Sequence, residues 1–167
     1  MPSVLDLFDR YADGVHTLAY RLLGDRHLAE DATQETFLAA LRSLGSYRGE
    51  GPIAAWLYRI AYRQAVALIR RRRDVPAEPA TVAALAERAD AAHASPEARV
   101  LARELAEQVD AAIATLSPPL RAAFVLRDVE GLSTAEVAAA LGIGESAVKM
   151  RLARARDTLR AELREYV

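Results

Sequence analysis

Apolar residues recur at three-to-four-residue spacing along almost the whole chain, and nowhere do they alternate with the period of two that a strand requires. The pattern predicts helices throughout. Ser3 caps a first helix whose inward stripe is Val4, Phe8, Tyr11, Val15, Leu18 and Leu22, ended by Gly24. A second runs from about Asp25 to Leu44 and is closed by Gly45. After a short loop, Ser46 to Gly51, Pro52 suits the first turn of a third helix reaching about Arg73. Ile53, Leu57, Ile60, Gln64 and Leu68 form its inward face. Residues 74–96 change character: three prolines, many alanines and few large apolar groups read as a linker, with a transient helix near Val82–Ala89. Helix resumes after Ser95-Pro96 with Leu101, Leu105, Val109, Ile113 and Leu116 inward. Another starts at Ser117-Pro118, carries Leu120, Phe124 and Val129, and ends at Gly131.

The last third carries the sharpest signal. Ser133 followed by Glu136 is a capping box. Val137, Ala138 and Leu141 lie on one face of a short helix, Gly142-Ile143-Gly144 breaks it, and Val148, Leu152, Ala155, Leu159 and Leu163 line a second. Small Ala138 allows a close crossing, and Ile143 fills the angle. This is a helix-turn-helix whose second helix is basic outward, through Lys149, Arg151, Arg154, Arg156 and Arg160. A hairpin with a solvated basic face would share the turn; the combination favours the major groove of DNA.

Charge distribution supports two contact surfaces where net charge does not. The 167-residue chain carries only -1 overall. Residues 48–73 nevertheless hold seven arginines against Glu50, residues 144–164 are also net basic, and the segments around them are acidic. Apolar residues make up 52%, but so many are alanine that each core is expected to be small. With no cysteine there are no disulfides or thiolate metal sites. The three histidines are scattered, and no phosphate loop or nucleophile motif occurs, so neither a catalytic site nor a cofactor is expected. No apolar run is long enough to insert in a membrane, and the first residues lack a signal pattern, so a cytoplasmic protein is expected.

Two further constellations stand out. Trp56, Arg59, Arg63 and Arg70 fall along one stripe of the third helix, extended by Arg71, Arg72 and Arg73, with Tyr47, Arg48, Tyr58 and Tyr62 nearby. Arginines hold phosphates and rings stack on unpaired bases, so the stripe suits single-stranded nucleic acid. Tyr58 or Tyr62 taken singly reads better as core. On the second helix, Glu30, Asp31, Gln34, Glu35 and Leu38 make an acidic, amide-rich strip that either faces solvent or docks a basic helical partner.

These residues bring a family into view. The chain resembles bacterial RNA polymerase sigma factors of the extracytoplasmic-function group. Leu18 to Arg73 resembles sigma domain 2, notably A-Y-R-L-L-G-D-R-H-L-A-E-D-A-T-Q-E-T-F-L-A-A-L and Y-R-G-E-G-P-I-A-A-W-L-Y-R-I-A. Leu116 to Leu163 resembles sigma domain 4, notably L-S-P-P-L-R-A-A-F-V-L-R-D-V-E-G-L-S-T-A-E-V-A-A-A-L-G-I and V-K-M-R-L-A-R-A-R. The expected fold is all-α: two small helical domains, 1–74 and 98–167, the latter with the helix-turn-helix, joined by a flexible linker over 75–97.

The resemblance implies roles for these surfaces. Asp31, Gln34, Glu35 and Leu38 fall where the family docks core RNA polymerase. Tyr47, Arg48, Trp56, Arg59, Arg63 and Arg70 fall where it melts and reads the −10 element. Ser146, Lys149, Met150, Arg151 and Arg154 fall where it reads the −35 element of promoter DNA. It further implies a dedicated anti-sigma factor and a monomer when free; with no long segment after Val167, members carrying a C-terminal regulatory domain are not the expected model. Departures bear on promoter choice: Arg63 stands where asparagine is common, Ala67 where aspartate is, Met150 where serine is, and Gly144-Glu145-Ser146-Ala147 where Pro-x-Gly-Thr opens the recognition helix. A helix-turn-helix regulator of the response-regulator output type would need neither the acidic strip nor the aromatic–arginine stripe, and a helical adaptor would show no salt-dependent DNA affinity.

Overall fold

The computed structural model describes residues 1–73 and 95–166. The transient helix near Val82–Ala89 and most of the expected linker lie outside those residues. Helices α1 (Val4–Leu23), α2 (Arg26–Ser43) and α3 (Ile53–Arg73) form the N-terminal part, with a 3-10 turn at Leu44–Ser46. The C-terminal part comprises α4 (Pro96–Thr115), α5 (Pro118–Phe124), α6 (Thr134–Leu141) and α7 (Glu145–Leu163), followed by a 3-10 turn at Arg164–Tyr166.

Local chemistry sets the boundaries. At the start of α1, Asp6 N donates to Ser3 Oγ at 3.1 Å and Ser3 N donates to the Asp6 carboxylate at 2.8 Å. Asp25 caps α2 by accepting from Leu28 N at 3.0 Å, which holds its carboxyl below the usual range. The Ser133–Glu136 box opens α6, with both of its hydrogen bonds formed. Gly142 ends α6 at φ 68, a left-handed conformation that a side chain would resist. Replacing Ser133 by alanine removes one reciprocal bond and is expected to cost about 1 kcal/mol. A thermal midpoint roughly 2–4 °C lower would report that loss in a chain of this size, and an unchanged midpoint would show the cap to be redundant.

Four sequence expectations need correction. Phe8 is 47% exposed; it sits on the α2-facing flank of α1, where its ring meets Phe37 edge-on at 4.9 Å. Leu101 and Leu105 are 67% and 55% exposed, because α4 packs on α7 only through its last turns, around Ile113 and Leu116. A 20-residue helix is about 30 Å long, and its first half projects beyond its support. Val129 is exposed because Val125–Val129 forms a π-helical turn. The extra residue in that turn shifts the phase and rotates Val129 outward. On α3 the fully buried positions are Ala55, Leu57, Tyr58, Ala61 and Ala65; Ile53, Ile60, Gln64 and Leu68 sit at the margin.

The buried cluster runs through both halves. Leu7, Val15, Leu18, Phe37 and Leu57 share one apolar core with Val125, Leu126, Val137, Val148 and Leu152. Small side chains make this possible. Ala61 and Ala65 on α3 and Ala138 and Ala140 on α6 are all buried, and they let helices of the two halves approach closely. A second, smaller cluster joins Ala112, Ile113 and Leu116 of α4 to Ala155 and Leu159 of α7.

Candidate nucleic-acid interface

The course of α7 follows from the turn before it. Ile143 N donates to Ala138 O at 3.1 Å, fixing the angle at which α7 leaves α6. Val148 and Leu152 then face inward. Ser146, Lys149, Met150 and Arg154 face outward, and Arg151 is half-buried at the edge. The outward basic face is narrower than the sequence suggests. Arg156 reaches back to Asp128 in a bidentate pair at 3.0 and 2.8 Å. That pairing raises its pKa further. Arg160 pairs with Asp157 one turn away at 3.0 Å. Lys149, Arg151 and Arg154 have no such carboxylate partner among the described residues, and they remain available for phosphates or base edges.

On α3, Arg59, Arg63 and Arg70 are exposed along the same stripe as half-buried Trp56. Tyr47 comes from the preceding loop. Its ring lies 5.4 Å from Trp56, tilted by 45°, and its hydroxyl donates to the Gly51 carbonyl. The structure thus brings Tyr47 and Trp56 together, and one hydrogen bond closes the 47–51 loop that carries exposed Arg48. The arginine run is not uniform: Arg72 donates to Leu23 O at 2.7 Å and pairs with Asp25 at 3.6 Å, so it ties α3 to the end of α1. Tyr58 is 3% exposed. Burial, followed by the neighbouring Glu130 carboxylate, pushes its phenol well above the ordinary range.

The acidic strip lines a groove between α2 and α3. Asp31, Gln34 and Glu35 form one wall, and Gln64, Ala67, Leu68 and Arg71 the other, around a volume of 330 Å³. Gln64 and Arg71 were not expected in such a site from the sequence; their only signal is that α2 and α3 are consecutive and pack together. Leu38 is 43% exposed on α2, and Leu41, one turn on, is 62% exposed. No group of histidine or carboxylate side chains among the described residues could hold a metal ion.

Comparison with known proteins places the chain in a family. The model of Sigma-70 region 2 matches residues 7–75, and that of Sigma-70, region 4 matches 106–159. The ECF RNA polymerase sigma factor SigE of Mycolicibacterium smegmatis is 40% identical over 169 residues, which cover 99% of this chain and 63% of that protein. The chain therefore spans less than two thirds of that relative's length. SigW of Bacillus subtilis, also an ECF RNA polymerase sigma factor, is 33% identical over 96% of this chain and 88% of its own. CnrH, solved in complex with the cytosolic domain of CnrY, superposes with a TM-score of 0.70 at 27% identity, over 97% of this chain and 88% of that one. The sigma factor RpoE of Bartonella quintana, solved with the anti-sigma factor NepR, has a TM-score of 0.71 at 22% identity over 95% of this chain and 94% of its own, a likeness of fold. Both regions occur in order on one helical chain that aligns with such relatives almost from end to end, and the chain belongs to the extracytoplasmic-function sigma factors of bacterial RNA polymerase.

Proposed function

We propose that this chain binds core RNA polymerase and directs it to a specific set of promoters. The observation that carries this reading is the coexistence of three chemically distinct faces on one small chain: the acidic α2 groove, the aromatic–arginine stripe of α3 and the basic outer face of α7. A DNA-binding regulator needs only the last.

In this reading Asp31, Gln34, Glu35 and Leu38 dock a basic helical element of polymerase, with Gln64 and Arg71 as the far wall. Ser146, Lys149, Met150, Arg151 and Arg154 meet the −35 duplex. Lysine and arginine there can reach guanine O6 and N7, and Met150 offers apolar contact. Tyr47, Arg48, Trp56, Arg59, Arg63 and Arg70 engage the −10 region as it opens. Extruding a base costs a few kcal/mol of stacking, which ring contact and phosphate neutralisation offset. Domain boundaries near residues 74 and 98 would let each DNA element be held weakly and both together tightly, by effective concentration. The chain contributes no catalytic group; bond formation belongs to polymerase. It works in the cytoplasm, with polymerase, and an anti-sigma partner regulates it, in the way that RpoE is held in a complex with the anti-sigma factor NepR.

The test is transcription in vitro with core polymerase, this protein and fragmented genomic DNA, followed by sequencing of new 5′ ends. Discrete starts sharing motifs near −10 and −35 are expected. Clean binding to core polymerase without discrete starts would refute promoter recognition.

A further inference from the structure

The outward face of α7 is not uniformly basic. Ser146, Met150, Ala153 and Asp157 follow at spacings of four, three and four residues, so they form one row along the helix, and all four are exposed. Lys149 and Arg154 stand on opposite flanks of that row. The first three members carry no charge. The fourth, Asp157, is tied to Arg160 at 3.0 Å and bounds them. From Ser146 to Ala153 the helix rises about 10 Å, the length of roughly three base pairs.

Met150 stands at the middle of the uncharged run. It is 55% exposed and belongs to neither apolar cluster, whose buried α7 members are Val148, Leu152, Ala155 and Leu159. Core packing therefore does not account for a large apolar side chain at this position. Isolated exposed apolar residues are ordinary on a protein surface. This one lies between two cations on the second helix of a helix-turn-helix, where an outward side chain entering the major groove meets base edges. A thioether donates no hydrogen bond and accepts only weakly. Set against guanine, adenine or cytosine, it would cover polar edge groups and leave them unpaired, a cost that apolar contact does not recover. Thymine alone offers a methyl group on that edge. The unbranched, polarisable methionine chain can lie along such a methyl, and the Ala153 methyl, one turn on, extends the same apolar strip. Ser146 can donate or accept and so discriminates little.

We propose, on the sigma-factor reading above, that Met150 is a specificity-determining residue that selects a thymine in the −35 element by its 5-methyl group. Lys149 and Arg154 supply attraction at the flanks, to phosphates or guanine, and Met150 supplies the choice at the centre.

Deoxyuridine pairs as thymine does and lacks only the 5-methyl, so it isolates this contact. The full chain, alone and bound to core polymerase, would be used to enrich duplexes from a random-sequence library. The enriched duplexes would then be remade with each thymine replaced in turn by deoxyuridine. At one position, or two adjacent ones, the replacement is expected to weaken binding about fourfold, the worth of one buried methyl-sized group. Met150→Ser should abolish that penalty and relax the preference for thymine there, whereas Met150→Leu should keep both. Neither variant changes charge, so both should retain the salt slope. A slope that fell with Met150→Ser would trace its effect to a displaced helix and overturn the assignment. Enrichment of no sequence, equal binding of thymine and deoxyuridine duplexes, or a methyl penalty that survives Met150→Ser would each overturn it too. A failure of the sigma reading looks different: the methyl penalty appears with the chain alone, while core polymerase neither binds the chain nor starts transcription near the enriched sequence.

Discussion

Leu57→Ala is expected to destabilise the protein by about 2–5 kcal/mol, the range for emptying a packed leucine site. Leu57 is 0% exposed within the cluster that also holds Leu18, Leu126 and Val148. Because that cluster runs through both halves, the loss is expected to lower one cooperative melt, by roughly 4–20 °C in a chain of this size. Differential scanning calorimetry checks both points. Two transitions, of which only one moves, would show that the halves unfold independently and that their shared core contributes little.

Arg154→Ala is expected to weaken binding to a −35 duplex by about 1–3 kcal/mol if the guanidinium meets a base edge. Lys149→Ala should weaken binding more uniformly across sequences and reduce the salt slope by about 1, as the loss of one phosphate contact does. Arg156→Ala is the informative control. Its guanidinium is committed to Asp128, so its removal should lower thermal stability and leave the salt slope intact. Titrating each variant against duplex at several salt concentrations separates the three cases. If Arg156→Ala flattened the slope as strongly as Lys149→Ala, the division of α7 into an outward DNA face and an inward structural pair would be wrong.

Legibility followed the range of the interactions. The helices were readable because capping and periodicity act within a few residues: the Ser3–Asp6 and Ser133–Glu136 boxes and the Gly142 turn all close within one helical turn. The candidate surfaces were readable in outline for the same reason, since Lys149, Arg154, Trp56, Arg59, Asp31 and Glu35 each lie on a helix whose outward face periodicity defines. Local spacing could not reveal what a side chain meets from far away in sequence. Arg156 looked like its basic neighbours until Asp128 was found opposite it, and Arg72 looked like part of a charge run until it met Leu23 O and Asp25. Val129 was misplaced because a single π-helical turn resets the phase that periodicity assumes constant.

By itself, then, the sequence determined an all-helical chain with a helix-turn-helix, two basic faces and an acidic strip, because these follow from contacts local to each helix. Tertiary structure alone decided that the helices carrying the two basic faces share a core. Alanine carries no directional signal in a sequence, and whether Ala61, Ala65, Ala138 and Ala140 are merely good helix formers or the close-packed seam between halves depends on which helix lies against them. Tyr58, Glu130 and Gly14 are likewise unremarkable residues in separate helices and turns until folding brings them within reach of one another.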